Sequence, residues 1–171
     1  MAESKQPEEK DFRPRIVAFM CNWCSYTASD LAGTARIKYS PYVRIIRVMC
    51  SGRVDPTLVL KAFALGADGV MIAGCHPGDC HYIDQNYKTI RRVTMLRYFL
   101  EQMGIEGDRL RLVWASAAEG QHLAESIDQF VADVRQMGPL NWSSNWEENG
   151  QRAQALEEIV REHAEAMEVL A

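Results

Sequence analysis

The stretch Gly69-Val70-Met71-Ile72-Ala73-Gly74-Cys75-His76-Pro77-Gly78-Asp79-Cys80 decides the fold. Val70 to Ala73 is a short run without a polar residue, as a strand buried on both faces requires. Upstream, Asp55-Pro56 reads as an N-cap followed by proline at the first helical position. Leu58, Val59, Ala62 and Phe63 then make one apolar stripe, and Gly66 closes the helix. Downstream, Val93, Leu96, Leu100 and Met103 repeat at helical spacing over 89–103 and stop at Gly104. A buried strand between two amphipathic helices is the alternation of a parallel α/β sheet.

Working outward, three further strands are predicted at Ile16–Met20, Val43–Val48 and Leu110–Ala115. Gln121–Met137 reads as a helix ending at Gly138-Pro139, and 25–38 lies where a crossover helix belongs. The second and fourth strands carry arginines, and Arg44 and Arg47 fall on opposite faces, so one of these strands is expected nearer an edge. The fold expected is α/β: a flavodoxin-like open parallel sheet of about four strands with flanking helices, plus a C-terminal helical tail.

A chain of 171 residues, 47% hydrophobic and 25% charged, has the material for one ordinary core and a small appendage. Residues 1–14 are polar and are expected as a flexible leader, 15–140 as the α/β domain, and 141–171 as a linker and amphipathic helix. Trp142 and Trp146 precede that helix, and Leu156, Ile159, Val160, His163, Met167 and Leu170 recur along it. Seven acids against two bases leave this tail at −5 within a chain of net charge −4. That balance argues against a nucleic-acid binder. No apolar run approaches the ~18–20 residues of a membrane span, and the first residues lack the apolar stretch of a secretory signal. A soluble, cytoplasmic protein is expected.

All five cysteines fall at or shortly after the carboxyl end of a predicted strand. Cys21 and Cys24 follow the first as Cys-x-x-Cys, Cys50 follows the second, and Cys75 and Cys80 follow the third. In an open parallel sheet these ends point the same way, toward the crevice where ligands bind. Helix N-termini begin at that edge and favour thiolate over thiol. Gly52, Gly74 and Gly78 would let backbone approach an inorganic group and donate N–H bonds to it.

Four thiolates suit tetrahedral zinc or an iron–sulfur cluster. A metal-free thioredoxin-like dithiol at Cys21 and Cys24 would leave the other three unexplained, and a structural zinc lacks the usual paired knuckles. His76 and His81 flank Cys75 and Cys80, which leaves open a mixed Cys/His site or hydrogen bonds from these rings to the thiolates; solvent-facing loop residues are the preferred reading, and Asp79 reads as a turn residue. Arg91, Arg92 and Arg97 read as a solvated helix face in preference to a partner-steering patch. The loop after the first strand lacks the Ser, Thr and Gly of a flavin phosphate cradle, and no phosphate-binding glycine motif occurs.

Three blocks in order carry a resemblance to a known family: Ile16 to Cys24, Arg47 to Pro56, and Ala67 to Tyr82. There the chain resembles the delta subunit of the methyl-viologen-reducing (F420-non-reducing) hydrogenase, an iron–sulfur protein that accompanies heterodisulfide reductase, over about Arg15 to Leu140. The resemblance implies a [2Fe–2S] cluster held by four of Cys21, Cys24, Cys50, Cys75 and Cys80. It also implies a non-catalytic electron relay in an electron-bifurcating complex, between a hydrogenase or formate dehydrogenase and the flavin subunit of heterodisulfide reductase.

Overall fold

The computed structural model describes residues 12–142. Four strands, β1 (Ile16–Cys21), β2 (Val43–Val48), β3 (Gly69–Gly74) and β4 (Leu110–Trp114), form one parallel sheet in the order β2-β1-β3-β4. That is the flavodoxin order without its last strand. The α/β expectation holds, and both arginine-bearing strands lie at edges. β3 is buried at all six positions, and each large aliphatic side chain buried there contributes about 1.5–3 kcal/mol.

The helices are α1 (Ser25–Thr34), α2 (Pro56–Ala64), α3 (Gln85–Gln102) and α4 (Gly120–Met137). α4 presents Leu123, Ile127, Phe130, Val131 and Val134 to one sheet face, where they and Ala28 of α1 enclose Ile16, Ala18, Met20, Met71, Ala73 and Val113. On the other face Val59 of α2 and Val93 and Leu96 of α3 surround Ile72, as alternation along a strand demands. Asp55 caps α2 by accepting the Thr57 N–H at 2.9 Å, and Gly66 beyond its end takes φ +90.

Several sequence expectations need correction. α1 stops at Thr34, four residues short, because the chain turns through Arg36 at φ 57. α3 begins at Gln85, four residues early: Asn86 is wholly buried and donates to the His76 carbonyl at 2.8 Å. Leu58 does not join the α2 stripe but lies 41% exposed on a groove shared with Ile46. Of the predicted leader, 1–11 lie outside the described residues, whereas Phe12 packs on the core and Pro14 is buried. Of the linker and amphipathic helix expected over 141–171, residues 143–171 also lie outside them. Among the described residues no helix is long and apolar enough to cross a membrane.

Candidate metal centre

β1 and β3 are neighbours in register, Met20 opposite Ala73, so the residues that follow them meet at the carboxyl edge. Cys21 ends β1, Cys24 is the N-cap residue of α1, and Cys75 follows β3. Their three Sγ atoms lie within 4.8 Å of one another, and all three residues are buried. Cys21 and Cys75 are 3.9 Å apart, sulfur to sulfur. Among the described residues this is the one group of three or more His, Cys, Asp or Glu ligand atoms so closely placed.

The other two thiols stand beside the three. Cys50, buried, comes from the β2 side, and its thiol lies where it senses charge at Cys21 and at half-buried Cys80. Three separate segments therefore bring five sulfurs to one edge.

Loss of a proton from one of these thiols opposes its loss from the others. The neighbouring Cys24 and Cys75 thiols, with the backbone N–H groups of Trp23 and Ser51 adding to them, lower Cys21 below the usual thiol range despite its burial. That anion in turn pushes Cys24 and Cys75 up. Burial pushes Cys50 up against the Gly52 N–H, which faces its sulfur. One negative charge is welcome and further ones are not, unless a cation replaces the protons. The donor set fits such a cation: soft, buried sulfurs with backbone N–H groups turned toward Cys21, Cys50 and Cys75.

The three predicted glycines serve different ends. A Cβ on Gly52 would lie 2.8 Å from Gln85 Cβ, and one on Gly74 would lie 2.6 Å from Ser51 Oγ. Protein atoms thus occupy the space these two glycines leave. Gly78 has open space around it but takes φ +96 in the turn before Cys80.

Sequence reasoning missed the polar frame around the thiols. Ser25 Oγ accepts the Cys21 N–H at 2.9 Å and donates to the Ala73 carbonyl at 2.8 Å, joining the ends of β1 and β3. Thr89 donates to Ser51 Oγ at 3.0 Å. Arg92 donates to the Gly52 carbonyl, and Arg97 donates twice to the Leu110 carbonyl at 2.8 and 2.7 Å. The solvated-face expectation therefore fails for Arg92 and Arg97, whose guanidinium groups meet backbone oxygens, and Arg91 alone is exposed. His76 lies 2.6 Å from Glu119, and His81 stacks on Trp23. Beside Cys50 a cavity of about 490 Å³ is lined by Met49, Arg53, His81, Tyr82 and Gln85.

An open parallel sheet whose carboxyl edge gathers thiols from three loops defines a small α/β domain built around a soft-ligand crevice. The chain belongs to the methyl-viologen-reducing hydrogenase delta-subunit family, whose model matches residues 16–138. It is 49% identical over 136 residues to the vhc iron-sulfur subunit of the F420-non-reducing hydrogenase of Methanococcus voltae, covering 80% of this chain and 94% of that one. It is 47% identical over 133 residues to the iron-sulfur subunit of the F420-non-reducing hydrogenase of Archaeoglobus profundus, covering 78% and 97%. It is also 46% identical over 127 residues to one subunit of the ferredoxin/F(420)H(2)-dependent CoB-CoM heterodisulfide reductase of Methanosarcina acetivorans, covering 74% of this chain but 16% of that one. The same domain thus recurs as a small part of a much longer polypeptide.

Proposed function

We propose that four of Cys21, Cys24, Cys50, Cys75 and Cys80 hold a [2Fe–2S] cluster, and that the domain over 15–140 relays electrons in the cytoplasm. The partners are a hydrogenase or formate dehydrogenase on one side and the flavin subunit of heterodisulfide reductase on the other, within an electron-bifurcating complex. The observation that carries this reading is the meeting of three buried sulfurs within 4.8 Å, with two more thiols beside them.

When bound, such a cluster accepts and returns one electron. The chain's own residues set the conditions. Ser25 locks the ends of β1 and β3 together, so the cysteines after them keep their spacing. Backbone N–H groups of Trp23, Ser51, Gly52 and His81 offset negative charge on sulfur. Burial of Cys21, Cys24, Cys50 and Cys75 keeps water off four of the five thiols.

The test is iron, zinc and acid-labile sulfide on anaerobically purified protein, with EPR after dithionite reduction. About two irons and two sulfides per chain are expected for a cluster of this type. Zinc alone would replace the relay with a structural site, and absence of metal after reconstitution would leave a dithiol at Cys21 and Cys24. A cysteine-to-serine series scored by cluster content is expected to give four losses and one tolerated change.

A further inference from the structure

The rings of Trp23 and His81 lie 3.7 Å apart, centre to centre, with their planes 13° from parallel. The Trp23 indole N–H donates to Tyr82 Oη at 3.2 Å. The Tyr82 ring stands edge-on to both of the others. These contacts join the loop after β1, which carries Cys21 and Cys24, to the segment that carries Cys80.

That segment has few other restraints. Its backbone bonds among the described residues are local, Ile83 N–H to the Cys80 carbonyl and Asp84 N–H to the Tyr82 carbonyl, apart from the His81 N–H turned toward Cys75. Ile83 sits at φ 72 and is 88% exposed. A β-branched residue in the left-handed region is strained and persists only where its surroundings impose it. No burial of Ile83 offsets that strain, so the restraint comes from its neighbours, and the aromatic contacts of His81 and Tyr82 are the ones at hand.

We propose that Trp23 is a positioning residue for Cys80: by stacking on His81 and bonding Tyr82 it latches the 80–83 segment down, keeping the Cys80 thiol beside Cys50. This deepens the cluster reading and rests on it for its functional meaning, since there Cys80 is a candidate ligand, but the latch itself consists of protein contacts alone. With the latch open, the strained segment relaxes away and Cys80 meets solvent.

The test follows N-ethylmaleimide labelling of each cysteine by peptide mass spectrometry, on the full chain, reduced and metal-free. Trp23→Ala removes both the stack and the hydrogen bond, and Cys80 is expected to label about tenfold faster or more. Trp23→Phe keeps a ring to stack and loses only the N–H, so about a two- to threefold increase is expected. Tyr82→Phe removes the same bond from the other side and is expected to match it, with the double variant no faster than either. Cys21, Cys24 and Cys75 are expected to keep their rates.

A Cys80 rate in Trp23→Ala within about twofold of the parent, with the circular dichroism spectrum unchanged, overturns the latch. If Trp23→Ala does not fold, His81→Ala, which removes the stack from the other side, decides together with Tyr82→Phe, and parental Cys80 rates in both overturn it. In a second arm, chain reconstituted with iron and sulfide is exposed to a chelator. Faster iron release and a shifted reduction potential are expected in Trp23→Ala, with return toward the parent in Trp23→Phe. A chain that takes up no iron defeats the cluster reading, while the labelling arm still judges the latch.

Discussion

The backbone N–H of Cys21 ends on Ser25 Oγ, 2.9 Å away, and the same hydroxyl donates its own hydrogen bond to the Ala73 carbonyl. Ser25 is wholly buried, so no water replaces it freely. Ser25→Ala leaves one donor and one acceptor unpaired, and a loss of about 2–4 kcal/mol is expected in urea denaturation. A loss below about 0.5 kcal/mol would mean that the two strand ends find other partners.

Arg109 is buried at 1% exposure and donates to Glu106 and to the carbonyls of Asp68, Met137 and Gly138. It ties the start of β3 to the end of α4. Arg109→Met strands three carbonyls and is expected to cost about 3–5 kcal/mol. Arg109→Lys is expected to recover little, since an ammonium cannot span the fork. Full recovery in Lys, read from the denaturation midpoint, would show that charge alone matters here.

Gly74 closes β3 directly before Cys75, and an added Cβ would meet Ser51 at 2.6 Å and Trp114 at 3.0 Å. Gly74→Ala must displace Ser51, whose N–H faces Cys21. A cost of about 1–3 kcal/mol is expected, accompanied by lower metal content per folded chain. Unchanged metal content would separate Ser51 from the site.

Glu119 accepts the Ser116 N–H at 2.6 Å and faces His76. The Ser116 backbone bond first, and His76 after it, depress its carboxyl from 4.5 to about 2. A depressed carboxyl stabilises the fold above its unfolded value and loses that contribution as pH falls through the folded one. The stabilisation is therefore lost between about 4.5 and about 2. Glu119→Gln is expected to flatten the fall of Tm with pH across that window, and equal slopes in parent and variant would refute the assignment.

The strands were legible because they are short apolar runs, and the cysteines were legible as a group because each follows such a run. Which three lie together was not. That depends on β1 pairing with β3 on one side and β2 on the other, a matter of strand order that no local pattern encodes. The start of α3 was hidden because Asn86 and Gln85 are polar, and Asn86 is buried only by virtue of the His76 carbonyl it serves. Arg92 and Arg97 misled for the same reason. Their targets, the carbonyls of Gly52 and Leu110, lie 40 and 13 residues away. Periodicity reports which residues leave water, and it is silent about polar groups that leave water in pairs.

The three tightly grouped thiols sit at positions 21, 24 and 75, at or just past the ends of two strands that must first pair. A zinc knuckle gathers its ligands from one short hairpin, and metal can drive its folding. Here the chain closes a loop of about fifty residues before the third thiol arrives, which is slow and entropically costly. A site that needs all three sulfurs is therefore complete only once β1 and β3 have paired. Any group that needs those three sulfurs would meet a sheet already paired, with its thiols buried and in place.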